Sequence, residues 1–394
     1  MMRMSGLYRV LVSFCLMLAV ESGAGDLVVH NGQFSLVGKK HYRAVGVNYF
    51  DAINRTINRP SDRSALLGLR LLARYEVPFV RVMFGGFWPN EFRLYQSDPK
   101  RYFEILDEFV ATAEQNGIGI IASLAWNYAT IPDLVAEPAS AWGQPDSKTH
   151  KLLRQYVSDV VSRYHKSPAI WMWEFSNEMA LYVDLPNSAQ WRPKVDVSKG
   201  TRPARGDADD LKGADQAVAF AEFVKVVRAL DPTTPISSGN SLPRPYAYNN
   251  AKFGKWQIDS EPQFCEMLER GNPAGFGVVS IHIYPDSKGY FGARDRDYGA
   301  VLAPVARCAD SLGKPVFVGE FGVSESDASE DPAGARAAFM KLLEAILEIK
   351  AGLAAAWVFD FPYQDSSYNV TAVNKRAYQL EEIRRVNRLL RGEK

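Results

Sequence analysis

Residues 149–178 read THKLLRQYVSDVVSRYHKSPAIWMWEFSNE, and this stretch contains the structural unit that decides the fold. Its first part has apolar residues three and four positions apart, which predicts an amphipathic helix over Thr149–His165. The apolar, aromatic-rich run Ile170–Phe175 then predicts a buried strand, which Asn177 and Glu178 follow directly. The stretch therefore predicts a helix, a buried strand and a polar strand end, in that order.

The same unit recurs along the chain, where eight β-rich apolar runs alternate with eight amphipathic stretches. The predicted strands are Arg43–Tyr49, Phe79–Phe84, Gly119–Leu124, Ile170–Phe175, Pro235–Ser238, Gly277–Ile283, Val316–Gly319 and Ala354–Phe359. The predicted helices are Ser61–Tyr75, Arg101–Asn116, Thr149–His165, Ala214–Leu230, Glu261–Arg270, Tyr298–Leu312, Pro332–Lys350 and Lys375–Leu390. This order indicates parallel strands joined by helical crossovers, and eight such strands close a barrel.

The sequence thus predicts an α/β protein, a (β/α)8 TIM barrel with long loops at the C-terminal face of the strands. A short β-hairpin is predicted ahead of the barrel, with Leu27–His30 and Gln33–Val37 flanking an Asn31-Gly32 turn. An open doubly wound sheet is the alternative, but it usually carries a glycine-rich phosphate loop after its first strand. The sequence contains neither G-x-G-x-x-G nor G-x-x-x-x-G-K-[ST].

The composition describes a chain with ample core material and balanced charge. It has 394 residues, of which 47% are hydrophobic, and a formal net charge of +1. A charge this close to zero argues against binding to nucleic acid or an anionic membrane, because both need a basic surplus. The length allows two or three average domains or one large barrel. We expect residues 25–394 to form a single catalytic domain that is monomeric.

Residues 1–24 have the pattern of a secretory signal peptide. Basic residues precede the apolar run Val10–Val20, and small residues surround Ala24, where we expect cleavage. The run is shorter than the roughly 20 residues of a transmembrane helix. We therefore expect a secreted protein, extracellular or periplasmic, with no membrane association after cleavage. The remaining cysteines, Cys265 and Cys308, then form either one disulfide or two free thiols.

Two glutamates stand at the ends of predicted strands. Glu178 ends the sequence WEFSNE after the fourth strand, and Glu320 lies in VGEFG after the seventh. Catalytic residues of such barrels cluster where strands run into the following loops, and the fourth and seventh strands face each other across the ring. Glu174 competes for this role, but strand alternation places it opposite to Phe175 and nearer the packing layer. We expect Glu178 and Glu320 to face each other at the barrel mouth.

Two facing carboxyls are the arrangement that cleaves a glycosidic bond. One protonates the leaving oxygen, while the other attacks the anomeric carbon or activates a water that does so. Retention needs the carboxyls about 5–5.5 Å apart, and inversion leaves roughly 6.5–9.5 Å. Sequence spacing alone does not choose between them.

The ordered combination resembles the glycoside hydrolases of clan A, most closely family 5, which contains secreted cellulases and β-mannanases. The resemblance covers about residues 27–390. It is carried, in chain order, by Arg81, Asn177-Glu178, His282-Ile283-Tyr284, Glu320 and Trp357. It implies a retaining enzyme in which Glu178 is the acid/base and Glu320 the nucleophile.

Elementary chemistry gives the supporting residues matching roles. Asn177 would bind the sugar 2-hydroxyl. Arg81 would keep Glu320 ionised, because a nearby cation lowers the pKa of a carboxyl. Tyr284 would donate a hydrogen bond to Glu320 and orient it. An ordinary ion pair for Arg81 and simple packing for Tyr284 are the structural alternatives.

Three further residues concern the substrate and the acid. His282 would lie near Glu178 and help set its protonation, or be a satisfied core histidine. Trp357 would be a flat platform beneath the sugar, or an ordinary packing aromatic. Asn127 follows the third strand, where many family 5 cellulases carry histidine, and it favours the β-mannanase branch over the cellulases.

The segment from Met179 to Gly213 is too long for an ordinary connection. Its polar centre, Lys194–Lys212, is either a mobile flap or a disordered insertion, and Trp191 beside it is a candidate substrate contact. Further aromatics follow strand ends and either line a sugar cleft or pack; they are Tyr49, Phe87, Trp88, Trp126, Tyr128, Phe361 and Tyr363.

The residue inventory argues against a metal site and against a serine or cysteine nucleophile. The five histidines show no ligand spacing, and the sequence has no H-E-x-x-H, C-x-x-C or G-x-S-x-G. We expect no metal, no cofactor, and a polysaccharide or oligosaccharide as the partner. Two alternatives stay open: a non-catalytic carbohydrate-binding barrel, and an exo-acting or transglycosylating enzyme whose 179–213 loop blocks one end of the cleft.

Overall fold

The computed structural model of the protein describes residues 26–36, 39–285, 289–294, 296–324 and 332–393. The predicted signal peptide, residues 1–24, lies outside the described residues. The strands are β1 (Val28–His30), β2 (Gln33–Ser35), β3 (Ala44–Asn48), β4 (Phe79–Met83), β5 (Gly119–Ser123), β6 (Ile170–Glu174), β7 (Ile236–Ser237), β8 (Val279–Ile283), β9 (Val316–Phe321) and β10 (Leu353–Ala356).

Strands β3 to β10 form a parallel eight-stranded barrel. Their spatial order is β7-β6-β5-β4-β3-β10-β9-β8, so each strand lies beside its neighbour in sequence and β10 returns to β3. The edge strands β7 and β8 come together where the amide of Gly277 donates to the carbonyl of Ile236 at 2.9 Å. The prediction of a (β/α)8 TIM barrel is confirmed.

Twelve α-helices occur within the described residues. They are α1 (Ala52–Asn58), α2 (Ser64–Arg74), α3 (Pro89–Ser97), α4 (Pro99–Gln115), α5 (Thr130–Leu134), α6 (Lys148–Tyr164), α7 (Gly213–Leu230), α8 (Ala247–Phe253), α9 (Glu261–Gly271), α10 (Tyr298–Ser311), α11 (Pro332–Glu348) and α12 (Tyr378–Leu390). Eight of them correspond to the predicted crossover helices. The short helices α1, α3, α5 and α8 follow strands β3, β4, β5 and β7. The loops at the C-terminal face are therefore long, as expected, and contain helices of their own.

The barrel interior is apolar at one end and polar at the other. Phe79, Trp171 and Phe317 belong to a fully buried cluster inside the ring, and Phe34 of the hairpin packs against it. The hairpin turn at Asn31-Gly32 has positive φ at both residues, as a type I′ turn requires. The hairpin therefore covers the N-terminal end of the barrel, and the polar end is left for the site.

The structure corrects one strand boundary and decides details that the sequence left open. The strand predicted over Ala354–Phe359 ends at Ala356, so Trp357 follows the strand rather than lying on it. The polar segment Lys194–Lys212 is neither extended nor free of contacts: it contains two 3₁₀ turns and is held by ion pairs. Cys265 on α9 and Cys308 on α10 form a disulfide, with Cα atoms 5.6 Å apart. In the part of the chain described, none of the helices has the length and apolar character needed to cross a bilayer.

Candidate active site

Arg81 connects the polar groups at the mouth of the barrel. It lies on β4 and its side chain is completely buried. Nε donates to Glu174 Oε1 at 2.7 Å, and Nη1 donates to Glu320 Oε1 at 2.8 Å. Nη1 also donates to Asn48 Oδ1 at 3.0 Å, and Nη2 donates to Asn177 Oδ1 at 2.8 Å. A guanidinium has five N–H donors in a rigid fork, so the one Arg81 side chain can donate to four partners.

Glu178 and Glu320 face each other across the mouth. One carboxylate oxygen of each and one ring nitrogen of His282 lie within 4.8 Å of one another. His282 Nδ1 is 2.9 Å from Glu178 Oε1 and 3.6 Å from Glu320 Oε1. A distance of at most 4.8 Å between one oxygen of each carboxyl favours the roughly 5–5.5 Å spacing of retaining glycosidases over the roughly 6.5–9.5 Å spacing of inverting ones.

The two glutamates reach these positions differently. Glu320 lies on β9 and points into the barrel, where only 6% of its side chain is exposed. Glu178 follows β6 with a left-handed φ of 54°, and its amide donates to the carbonyl of Gly239 at 2.9 Å. A left-handed glutamate is uncommon and costs about 1–2 kcal/mol, so the surrounding hydrogen bonds must hold it. This backbone conformation leaves the side chain 27% exposed at the cleft.

Burial shifts the proton affinities of these groups. It raises the pKa of Glu178 to about 7, although Arg81 opposes the shift. It also raises the pKa of Glu320, against the lowering effects of His282 and Arg81. Arg81 does lower the pKa of Glu320, as expected from the sequence. Burial raises this pKa by more, so the net shift is upward. Burial lowers the pKa of His282 to about 4, so this imidazole is neutral near pH 7.

The hydrogen-bond partners of the two carboxyls favour Glu178 as the one that holds a shared proton. Glu320 accepts from the Arg81 guanidinium, and it also accepts from the Tyr284 hydroxyl, whose oxygen is 2.6 Å from Oε2. Burial raises the pKa of Tyr284 well above its usual value, so its hydroxyl remains a donor. Glu178 faces the neutral His282 instead. Charge-assisted hydrogen bonds thus favour the anion at Glu320 over the anion at Glu178.

Two cavities meet beside Glu178. The first has a volume of about 770 Å³, and Glu320, Tyr284 and Trp357 line it. The second has a volume of about 530 Å³, and Asn127 and Trp191 line it. Five residues line both: Phe87, Trp88, Trp126, Asn177 and Glu178. The site therefore lies within a cleft that continues on either side of Glu178.

The remaining sequence-predicted residues take up places along this cleft. Trp357 is half-buried, and its Nε1 donates to Gln364 Oε1 at 2.7 Å, which fixes the plane of the indole. Asn127 is part of the second cavity rather than the first, and its Oδ1 accepts from the amide of Ala129 at 2.9 Å. Five of the eight predicted residues thus line the first cavity, namely Asn177, Glu178, Tyr284, Glu320 and Trp357. Arg81 and His282 are buried and contact the two glutamates, and Asn127 lines the second cavity.

A divalent metal would find three ligand atoms here but an unfavourable charge. Glu178, His282 and Glu320 each offer one atom within 4.8 Å of the others. The Arg81 guanidinium already lies 2.8 Å from Glu320 and supplies the positive charge that a metal would bring. Two cations in contact with one buried carboxylate repel each other.

Some residues of the site had no assigned role from sequence. Asn48 was recognisable as a polar strand end, and its Nδ2 donates to the carbonyl of Gly319 at 2.9 Å, so it ties β3 to β9. Tyr368 lines the first cavity and contacts the Tyr284 ring edge-on with centroids 5.7 Å apart. It comes from a loop without strand or helix periodicity, so no sequence signal pointed to it.

Sequence comparison finds relatives among fungal enzymes. The chain is 24% identical over 238 residues to mannan endo-1,4-beta-mannosidase A of Aspergillus aculeatus, covering 56% of this chain and 51% of that protein. It is 25% identical over 323 residues to mannan endo-1,4-beta-mannosidase A of Podospora anserina, covering 77% of this chain and 75% of that protein. The chain thus spans about half the length of the first of these relatives and three quarters of the second.

Comparison with solved structures and with family models gives a consistent assignment. The fold is similar to a glycoside hydrolase family 5 mannosidase from Rhizomucor miehei, with a TM-score of 0.64 and 15% identity over 94% of this chain and 99% of that one. The sequence model of the cellulase family, glycosyl hydrolase family 5, matches residues 69–358, which is well over half of the chain. The protein belongs to glycosyl hydrolase family 5.

Proposed function

We propose that this protein is a secreted retaining endo-β-1,4-mannanase, with Glu178 as acid/base and Glu320 as nucleophile. The observation that carries the proposal is the unequal environment of two carboxyls within 4.8 Å of each other. Glu320 contacts a cation and a phenol, whereas Glu178 contacts a neutral imidazole and has a pKa raised to about 7. Two facing carboxyls in unequal environments are the pattern of an acid and a nucleophile in one site.

The reaction proceeds in two displacements. Glu320 attacks the anomeric carbon while the Glu178 proton passes to the departing oxygen, which leaves with the downstream part of the chain. This step forms a glycosyl ester on Glu320 and leaves Glu178 ionised. A water then gives its proton to Glu178 and attacks the same carbon, so the ester breaks and Glu320 returns to the anion. The anomeric configuration is retained.

The neighbouring side chains assist through their contacts. Arg81 holds Asn177 by its Oδ1, which directs the amide NH₂ group away from Arg81 and leaves it to donate to the sugar 2-hydroxyl. His282 Nδ1 lies 2.9 Å from Glu178 Oε1. It can accept a hydrogen bond from the protonated Glu178, and in its other tautomer it can donate one to the ionised Glu178. Trp357 offers its ring as a platform beside Glu320 for the sugar whose bond breaks.

Mannan is the substrate that the comparisons favour. The Aspergillus aculeatus and Podospora anserina relatives are both mannan endo-1,4-beta-mannosidases. Asn127, where many family 5 cellulases have histidine, points to the same branch. Endo action is supported by a cleft that continues on both sides of Glu178.

Secretion is supported by the pattern of residues 1–24 and by the disulfide between Cys265 and Cys308. Structural disulfides persist in oxidising compartments and are rare in the cytosol. The expected result is a mature exported protein that begins at Gly25, and intact-mass measurement of the exported material checks it. An exported chain that retains residues 1–24 would contradict the cleavage.

The first experiment measures reducing-end release from glucomannan, galactomannan, carboxymethylcellulose, mixed-linkage β-glucan and xylan. We expect activity on the two mannans, and a loss of several orders of magnitude in both Glu320→Ala and Glu178→Ala. Thermal unfolding of both variants serves as the control for folding. Activity on the glucans alone would move the substrate to cellulose-type chains.

Full activity in either folded variant would contradict the two-glutamate mechanism. Binding of mannan without any hydrolysis by the wild type at high protein concentration would favour the non-catalytic barrel instead. A single small product at early time, in place of mixed oligomers, would indicate exo action.

A further inference from the structure

Glu178 stands at the start of a single turn of 3₁₀ helix, Met179–Tyr182. Its carbonyl accepts from the amide of Leu181 at 3.0 Å. A turn this short leaves its last carbonyls without partners of its own. Because Glu178 adjoins the turn and has a left-handed backbone, any loosening of the turn would also release Glu178.

Arg244 supplies the missing partners at the end of this turn. It lies between β7 and α8, and its Nη1 donates to the carbonyls of Ala180 at 3.0 Å and Leu181 at 2.7 Å. Its Nη2 donates to the carbonyl of Val183 at 2.8 Å. One planar guanidinium therefore fixes three successive carbonyls in a single geometry.

The loop after β7 holds the start of the turn as well. The carbonyl of Gly239 accepts from the Glu178 amide at 2.9 Å, and Asn240 Oδ1 accepts from the amide of Ala180 at 3.0 Å. Asn240 is itself fixed, because its Nδ2 donates to the carbonyl of Gly271 at 2.8 Å. The turn is thus held by one loop at both its beginning and its end.

The charge of Arg244 makes this hold strong. Within the described part of the chain its hydrogen-bond acceptors are all backbone carbonyls. Burial lowers the pKa of Arg244, which shows that the cation is poorly hydrated. A poorly hydrated cation is costly unless its N–H groups are satisfied, and hydrogen bonds from a cation are roughly twice as strong as neutral ones.

We propose that Arg244 is a positioning residue for the acid/base. By holding the turn Met179–Tyr182, it keeps the Glu178 carboxyl where its proton reaches the departing oxygen. The inference rests on the proposed function. Arg244 lines neither of the two cavities that form the cleft, so it acts on Glu178 through the backbone and not through the sugar.

The test compares phenyl β-mannobioside with 2,4-dinitrophenyl β-mannobioside, which carry the same sugars but differ in their need for an acid. Phenolate is the stronger base and must be protonated as it leaves, whereas dinitrophenolate leaves without a proton. The ratio kcat/KM reports only the displacement that releases the phenol. We expect Arg244→Met to lower kcat/KM for the phenyl glycoside about thirtyfold, a part of the roughly 10²–10⁴-fold contribution of a positioned acid. The dinitrophenyl glycoside should keep the wild-type value.

Arg244→Lys is the conservative variant. It keeps the positive charge but offers one nitrogen where the guanidinium offers two to the turn. We expect a smaller loss on the phenyl glycoside, about fivefold, which corresponds to roughly one hydrogen bond, and no loss on the dinitrophenyl glycoside. This variant decides the question if Arg244→Met does not fold.

The matched control is Arg228→Met. Arg228 Nη1 donates to the carbonyls of Asp231 at 3.0 Å and Thr234 at 2.7 Å, and burial lowers its pKa as it does for Arg244. These carbonyls precede β7 and lie at the end of the barrel away from the site. The control should lower the thermal unfolding temperature and leave kcat/KM for both glycosides unchanged.

Equal losses on the two glycosides in Arg244→Met, an unchanged phenyl glycoside, or the same selective loss in Arg228→Met would overturn the role of Arg244. Failure of the proposed function is recognised separately from Glu178→Ala. If Glu178 is not the acid, this variant affects both glycosides alike or neither of them. A selective loss in Glu178→Ala without one in the folded Arg244 variants would contradict only the positioning role.

Discussion

At the residue scale, the site depends on how one buried cation is shared. Arg81 contacts Glu174 and Glu320, and both Arg81 and Glu174 are completely buried. Two anions flank one cation, so the cluster carries one net negative charge when Glu178 is protonated and His282 is neutral. Burial disfavours the ionised form of Glu178 and keeps its proton in place near neutral pH, although the Arg81 cation opposes this effect.

These protonation states predict the pH dependence of kcat/KM. In the proposed mechanism, the rate requires a protonated Glu178 and an ionised Glu320. It should therefore fall above about pH 7, where Glu178 loses its proton. On the acid side it should fall at a pH above the usual carboxyl range, because burial raises the pKa of Glu320. Glu174→Gln removes the carboxylate that pairs with Arg81, so the Arg81 cation should lower the pKa of Glu178 more strongly, and the alkaline limb should move to lower pH.

The control for this prediction is Ser237→Ala. The Ser237 hydroxyl donates to Glu174 Oε2 at 3.1 Å, so its removal deletes a hydrogen bond and keeps the charge. The limb should then stay in place. A shift in Ser237→Ala equal to that in Glu174→Gln would show that local geometry, not charge, sets the profile.

Sequence reasoning singled out the two glutamates because each stands at the C-terminal end of a strongly apolar strand, Glu178 beyond β6 and Glu320 within the last residues of β9. It did not assign Glu174 as a partner of Arg81, since alternation gives the face of a side chain and not its contacts. It also missed the net direction of the Glu320 shift, because burial depth is a property of the folded ring. The position of Asn127 beyond the acid, rather than beside the nucleophile, likewise required the loops to be in place.

At the scale of elements, the strands and crossover helices follow from periodicity, and the loops do not. The apolar runs and amphipathic stretches gave nearly all barrel elements to within a few residues. The strand over Pro235–Ser238 shortens to Ile236–Ser237, because the chain turns at Gly239, where φ is +71°. The short helices α1, α3, α5 and α8 were not predicted, since a helix of about one or two turns carries too little periodic signal.

The contact between the end of α2 and the helix α12 gives a test of stability. Glu76 accepts from Arg384 at 3.0 Å and Arg391 at 2.7 Å, and it also pairs with Arg388. These guanidinium groups, Arg388 first, lower the pKa of Glu76 from 4.5 to about 2. A lowered carboxyl pKa contributes stability that is present above pH 4.5 and is lost as the pH falls towards 2.

We therefore expect Glu76→Gln to lower the free energy of unfolding at pH 7 by about 1–2 kcal/mol, after allowance for solvent screening. The difference from the wild type should shrink as the pH falls through the same range. Denaturant unfolding at several pH values measures it. Glu104→Gln, which removes a single exposed pair with Arg101, should change stability by less than about 0.5 kcal/mol at every pH. A constant deficit for Glu76→Gln across the pH range would contradict the ion-pair account.

At the scale of the whole molecule, the two ends of the barrel interior differ: one end is packed with apolar side chains, and the other contains the candidate active site. One end of its interior is filled by apolar side chains such as Phe79 and Trp171 and is covered by the hairpin. The other end contains Arg81 and the facing glutamates and opens into the cleft. Parallel strands point their C-terminal ends the same way, so loops from distant parts of the sequence converge on one site. This convergence was predictable from the order of elements, whereas the division of the cleft into two cavities depends on the fold of the segment after β6.

The central claim is that Glu320 forms a covalent bond to the sugar during turnover. The most direct measurement is mass spectrometry of the protein after incubation with a 2-deoxy-2-fluoro mannosyl or glucosyl fluoride, which slows the second displacement. We expect the mass to increase by one fluorosugar, with the label on the peptide that contains Glu320 and no label in Glu320→Ala. A label on another residue, or hydrolysis of the natural substrate with inversion and no label, would contradict the account.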